Sequence, residues 1–182
     1  MMRYQKRIFN ELQVTLEKID PQQLTTLCEE LMKADRIFCD GLGRSGLQAR
    51  AFCMRLMHLG LSSAVIGDVL APPVSSNAML VICSGSGESE TLLGRARRAK
   101  KLGAKLTTVT AEKDSILAKM ADITIELEAP LKEQRKRRRS IQPLGTLFEQ
   151  ASGLFFDMVV LELMDAMQVT NAEMALRHAN VE

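Results

Sequence analysis

The chain has 182 residues, 46% of them apolar and 25% charged, with a formal net charge of +2. That is the size and balance of one folded domain, spanning residues 1–182, and it excludes a uniformly cationic nucleic-acid binder. Six Phe, one Tyr and no Trp leave little from which to build a base-stacking surface.

Tyr4, Ile8, Leu12, Leu16 and Ile19, with Phe9, recur at helical spacing, so residues 3–19 read as an amphipathic helix. Asp20-Pro21 stops it and starts another, with Asp as N-cap and Pro at the first helical position. Leu24, Leu27, Cys28, Leu31 and Met32 carry that second helix to about Ala34. Five strand-length apolar runs follow: Ile37–Cys39, Ala64–Ile66, Met79–Cys83, Leu106–Val109 and Ile123–Leu127. Most are separated by helix-patterned segments, two of which set Arg50, Arg55, Arg95, Arg97 and Arg98 on their polar faces. This alternation predicts right-handed crossovers and an α/β three-layer sandwich with a five-stranded parallel sheet flanked by helices. A long apolar helix is predicted from Pro143 to about Met167, and a short one from Asn171. The segment 132–139 holds six basic residues and one acidic one. Such a run reads as a solvated face, and nucleic acid is not the expected partner of so balanced a chain.

Cys28, Cys39, Cys53 and Cys83 form no CxxC pair, and each sits in an apolar stretch where it acts as a small hydrophobe. With only His58 and His178 beside them, no metal site is expected. No leader pattern opens the chain and no run of ~20 apolar residues spans a membrane, so a reducing cytoplasmic setting is expected. His58, just before Leu59-Gly60, reads as a helix-terminal structural residue. His178 lies in a short polar tail, where a histidine is more often exposed than catalytic.

In an open parallel sheet, ligands bind beyond the carboxyl ends of the strands. Two such loops are rich in glycine and hydroxyls: Gly41-Leu42-Gly43-Arg44-Ser45-Gly46, and Ser84-Gly85-Ser86-Gly87-Glu88-Ser89. Each runs into a helix whose first N–H groups can approach an anion. One such loop is commonly a capped turn; two at adjacent strand ends point to an anion site. The first also matches the dinucleotide fingerprint at Gly41, Gly43 and Gly46, with Asp68 placed as the following acid. Against that reading, a dinucleotide does not need the second loop. On the long helix, Leu144, Leu147, Phe148, Ala151 and Phe155 make the apolar face. Glu149 instead shares a stripe with Gly145, Ser152, Gly153, Phe156 and Val160, which suits a site or a subunit contact.

Together with Gln142-Pro143-Leu144-Gly145-Thr146-Leu147-Phe148-Glu149-Gln150 and Arg177-His178-Ala179-Asn180, these loops resemble the 6-phospho-3-hexuloisomerases of the sugar isomerase (SIS) domain superfamily. Ser89 stands where that family often has Thr, which keeps the hydroxyl. The resemblance implies a flavodoxin-like sheet and a homotetramer whose sites draw on more than one subunit. It implies a phosphosugar bound by Gly43, Arg44, Ser45, Ser84, Gly85, Ser86 and Ser89, with Glu149 as acid/base and His178 assisting from its own or a neighbouring chain. Moving one proton between adjacent carbons through an enediolate needs a base and oxygen donors, but no metal or redox cofactor. The alternatives are a sugar-phosphate sensor without turnover, an isomerase of arabinose 5-phosphate or a heptulose phosphate, and the dinucleotide binder.

Overall fold

The computed structural model describes residues 2–131 and 140–181; the basic run 132–139 lies outside them. The elements are α1 (Met2–Leu16), α2 (Pro21–Lys33), β1 (Arg36–Gly41), α3 (Gly43–Leu59), β2 (Ser63–Val65), β3 (Ala78–Cys83), α4 (Glu90–Lys101), β4 (Lys105–Thr110), α5 (Ile116–Met120), β5 (Ile123–Glu126), α6 (Thr146–Met167) and α7 (Asn171–Leu176). All five expected strands are present, within two residues of the predicted ends. They form one parallel sheet in the order β2-β1-β3-β4-β5. None of the described helices is long and apolar enough to cross a membrane.

Successive strand residues face opposite sides of the sheet. Ile37, Cys39, Met79 and Val81 therefore join a core with α2, α3 and α6, while Phe38, Leu80 and Ile82 join α4 and α5 on the other face. The predicted order of layers is thus observed. The chain leaves β1 for one face and β3 for the other, so their carboxyl ends diverge. That divergence opens a crevice between the two adjacent strands, the switch point at which parallel sheets receive ligands.

Three helical expectations change. The first helix ends at Leu16 rather than at residue 19, although Ile19 is still buried in the turn behind it. Its outer face leaves Tyr4 and Phe9 exposed, so only its Leu12 side meets the core. The long helix begins at Thr146, because Pro143-Leu144-Gly145 is a turn with Leu144 at φ 54° and exposed to solvent. Leu144 is therefore not part of an apolar face. Glu149 sits in the first turn of α6, and it is buried together with Ser152, Phe155 and Phe156 of that helix.

The close fit of α3 on β1 rests on two glycines. A Cβ on Gly46 would stand 2.5 Å from the Gly41 carbonyl oxygen, and one on Gly41 would stand 2.9 Å from the Cys83 carbonyl oxygen. Both obstacles are backbone and cannot swing aside. Gly46→Ala is expected to destabilise the fold by roughly 1–3 kcal/mol, the usual cost of overpacking. Gly94→Ala, in the interior of α4 with nothing within 4 Å of the new methyl, is expected to stabilise by about 0.5–1 kcal/mol. Urea denaturation of the two variants checks the contrast, and equal effects would deny the packing argument.

Candidate active site

A cavity of about 410 Å³ fills the crevice. Leu42 comes from the turn after β1, Arg44 and Ser45 from the first turn of α3, and Ser84, Gly85, Ser86, Glu88 and Ser89 from the loop after β3. Gly145, Phe148 and Glu149 come from the start of α6, and Cys83, Leu92, Glu112 and Leu131 complete the lining. Of the sequence-predicted site residues, Arg44, Ser45, Ser84, Gly85, Ser86, Ser89 and Glu149 are thus brought to one cavity. Gly43 is not part of its lining; at φ 56° it turns the chain into α3.

The hydroxyl-rich loop is held rigidly by its neighbours. Ser84 Oγ accepts from the Gly87 N–H at 3.2 Å, and Ser86 Oγ from the Glu88 N–H at 3.4 Å. The Gly85 carbonyl accepts from the Ala111 N–H at 3.0 Å and from the Thr110 hydroxyl at 3.1 Å, and the Leu117 N–H donates to the Gly87 carbonyl at 3.0 Å. Gly87 lies at φ 62°, and a side chain there would collide with Ser115. Gly85 has Leu131 and Phe148 pressed against its missing Cβ. The loop therefore presents its polar groups from a fixed backbone.

Three helices begin at this cavity, and none has a side-chain cap. The N-cap positions are Leu42 for α3, Ser89 for α4 and Gly145 for α6, without a capping hydrogen bond in any of them. Away from it, α2, α5 and α7 are capped by Asp20, Ser115 and Thr170. First-turn N–H groups without a side-chain acceptor, added to three helix dipoles, make a positive locus for an anion. Side-chain charge does not: the lining holds one cation, Arg44, against Glu88, Glu112 and Glu149.

Glu149 is buried, and its Oε2 pairs with Arg44 Nε at 2.6 Å. Gly145 stands beside the carboxylate, with Oε1 3.6 Å from where a Cβ would be. Gly153, on the stripe that suits a site or a subunit contact, instead admits Gln48 of α3, whose Oε1 lies 2.7 Å from the missing Cβ. Cys83 is an inert part of the lining. Burial pushes its thiol up to about 12, against hydrogen bonds with Ser152 and Ser45.

Within one chain His178 lies away from this site. Its ring stacks on buried His58, centroids 5.1 Å apart, at the far end of α3. Fifteen residues of helix separate His58 from Gly43, or about 22 Å at 1.5 Å per residue. Arg177 pins the tail there by donating to the His58 carbonyl at 3.0 Å. His58 keeps its helix-terminal place before Gly60 at φ 92°, and burial, Arg55 and His178 lower its basicity. Asp68, the acid of the dinucleotide reading, lines a separate depression with Arg50 and Cys53.

Sequence reading missed three residues. Glu112 follows β4 and could have been found by the strand-end rule. Glu11 of α1 accepts from the Ser140 hydroxyl at 2.7 Å and the Ile141 N–H at 2.8 Å, fixing the approach to α6 across 130 residues with no local signal. Asp40, 2% exposed, ends β1 and accepts from the Gly41 N–H at 2.8 Å and from Arg95 at 2.8 Å. Arg95 is therefore a buried-carboxylate partner rather than a solvated charge on α4.

Residues 30–142 match the family described as SIS domain. The chain is 37% identical over 180 residues to the 3-hexulose-6-phosphate isomerase of Bacillus subtilis (strain 168), covering 98% of this chain and 97% of that one. It is 38% identical over 173 residues to the same-named protein of Mycobacterium gastri, covering 95% and 87%. A crystal structure from Methanococcus jannaschii, from which a 3-hexulose-6-phosphate isomerase function was inferred, superposes with a TM-score of 0.87 at 31% identity over 98% and 99% of the two chains. The chain belongs to the SIS domain family and, within it, to the family of the 3-hexulose-6-phosphate isomerases.

Burial raises the Asp40 carboxyl above its ordinary value, against the opposing effects of Arg95, the Gly41 N–H and Arg50. The folded state thus keeps this proton to a higher pH than the unfolded chain, and stability falls as pH rises through that window. Arg95→Met leaves Asp40 uncompensated. It is expected to cost roughly 2–3 kcal/mol at neutral pH, the lower part of a broken buried pair because Arg95 is partly exposed. Its deficit should shrink on acidification as Asp40 is protonated. Urea melts at neutral and mildly acidic pH check this, and a pH-independent deficit would assign the loss to packing.

Proposed function

We propose that this chain, as one domain over residues 1–182, interconverts 3-hexulose 6-phosphate and fructose 6-phosphate. The observation that carries the reading is the convergence of three helix starts without side-chain caps on the cavity that also holds the buried Glu149 carboxylate. The first supplies a seat for a phosphate dianion, and the second a base at a distance from it. The family membership and the names of its relatives agree.

In this reading the phosphate rests on the Ser84–Ser89 loop. Its oxygens accept from Ser84, Ser86, Ser89 and first-turn N–H groups, while Gly43 shapes the opposite turn and Arg44 and Ser45 face the sugar. Glu149 takes the proton from C2 of the 3-ketose, giving an enediolate across C2 and C3, and returns it to C3. A hydroxyl proton moves from O2 to O3 in the same exchange, and the ketone comes to lie at C2. Remote binding of the phosphate holds the reacting carbons against the carboxylate. Arg44, already paired with Glu149, keeps that carboxylate oriented.

His178 is assigned to the site of a neighbouring subunit, because its own chain holds it at the other end of α3. That assignment requires an oligomer, and a homotetramer is proposed. Exposed apolar side chains support self-association: Tyr4 and Phe9 on α1, Leu47 and Met54 on α3, and Leu154 and Leu161 on α6. Four buried free thiols suit a reducing, cytoplasmic setting.

A coupled assay for fructose 6-phosphate tests the activity, and binding of the phosphosugar without turnover would make the chain a sensor instead. Glu149→Gln is expected to lower kcat by at least ~100-fold with little change in phosphosugar affinity. Solvent-deuterium exchange at the parent rate in that variant would remove Glu149 from the base role. Ser86→Ala is expected to cost about 1.5–3 kcal/mol of binding, read as a KM raised ~10-fold or more. Light scattering should find an oligomer, and an active monomer would overturn the shared-site assignment.

A further inference from the structure

The chain's two histidines stack on one another at the end of α3 farthest from the cavity. Their ring centroids are 5.1 Å apart, with 27° between the planes. His58 is 2% exposed, while His178 is exposed and lies over it from the outside. Arg55 brings its Nη1 to 3.4 Å from His58 Nδ1. A guanidinium only donates, so Nδ1 accepts and the uncharged ring carries its proton on Nε2. His178 Nδ1 lies 3.0 Å from the Ala179 carbonyl oxygen, which only accepts. The His178 proton therefore sits on Nδ1, and Nε2 keeps a free lone pair. Arg177 adds to the attachment by donating to the carbonyls of His58 at 3.0 Å and Glu173 at 3.3 Å.

We propose that His58 is the positioning residue for His178: its uncharged ring seats the tail imidazole on α3, and a proton on His58 unseats it. The consequence for catalysis rests on the assignment of His178 to a neighbouring subunit's site; the seat itself does not. A proton on Nδ1 would replace the bond accepted from Arg55 by two cationic donors 3.4 Å apart. No carboxylate is placed to compensate. The charged groups around the ring are Arg55 from α3 and, from the tail, Arg177 and His178. Glu173 of α7 is engaged by the Thr170 N–H and hydroxyl at 2.7 and 2.8 Å. Glu162 and Asp165, in the last turns of α6, form no ion pair with either ring among the described residues.

A buried imidazolium without a partner is costly, so the site opens to take the proton. The tail is the part that yields. Met174 is the one buried residue of α7, and residues 175–181 are all exposed. Segments with so little buried surface open before the rest of a fold. Burial first, then Arg55 and His178, hold the basicity of His58 below its ordinary value. The seated state thus binds fewer protons than the released one. Seating is complete above the ordinary histidine value of about 6.5 and is lost as the pH falls below it.

The chain has no Trp, so Val181→Trp, at a position 91% exposed beyond the stack, reports on the tail alone. Its fluorescence anisotropy in the full-length protein should be high at about pH 8 and fall towards that of a free peptide by about pH 5, with far-ultraviolet circular dichroism unchanged. Adding His58→Phe, which keeps a flat ring but takes no proton, should hold the anisotropy high across that range. Anisotropy that does not change with pH in Val181→Trp overturns the proposal, and so does an equal fall with His58→Phe. In the fructose 6-phosphate assay at neutral pH, His58→Ala is expected to lower kcat as far as His178→Ala does, with KM unchanged. The double variant should lose no more, because both changes remove one group from the reaction. Additive losses would deny that His58 acts through His178. A tail that titrates as expected, with kcat unaffected in both single variants, upholds the seat and removes His178 from the reaction.

Discussion

Everything around the cavity depends on how closely α3 approaches β1. A backbone carbonyl at Gly41 occupies the space where Gly46 would carry a side chain, so the first turn of α3 lies directly on the strand end. That seat turns the N-terminus of α3 into the crevice beside the loop after β3. The same helix accepts α6 at Gly153, where Gln48 fills the place of a Cβ. At its other end it receives the tail through Arg177. A displacement of α3 by one methyl would therefore move Arg44 and Ser45 and disturb the α6 contact that holds Glu149.

The electrostatics follow from this placement. The cavity lining is poor in cationic side chains, yet its geometry suits an anion because three helix starts converge there without side-chain caps. Backbone N–H groups supply positive potential without bringing a lysine beside the base, where it would compete for the carboxylate. Arg44 is the exception, and it is committed to Glu149. The remaining buried charge nearby, Asp40, is balanced by Arg95 and the Gly41 N–H, which ties the end of β1 to α4 across the switch point. The polar groups of the hydroxyl-rich loop meet partners on β4 and α5, so its rigidity comes from elements distant in sequence.

The four cysteines show how packing separates residues of one type. All are buried and free, but their surroundings differ. Cys83 touches two serines at the cavity floor, and Cys28 is held in the α2 core. Cys39 and Cys53 both belong to the core between the sheet and α3, and Cys53 also borders an external depression. Local sequence treats each as a small apolar filler.

The sequence by itself determined the alternation of strands and helices, the two glycine-and-hydroxyl loops and the family. These are local signals: period-two and period-3.6 apolar patterns, turn residues, and short motifs read in order. It also marked Glu149, since a carboxylate between small residues on a buried stripe departs from a solvated helix face. What it could not decide depends on which residues meet across long separations. Pro143 reads as a first helical residue, but Leu144 takes a left-handed turn and α6 starts three residues later. Gly153 reads as part of a site or a subunit contact and instead admits Gln48 of its own chain. Arg95 reads as a surface charge and instead neutralises Asp40, 55 residues away. His178 reads as a possible partner of Glu149, yet the tail carries it to His58. Each of these contacts is a product of tertiary closure, because the partners become neighbours only after the sheet has brought distant segments together.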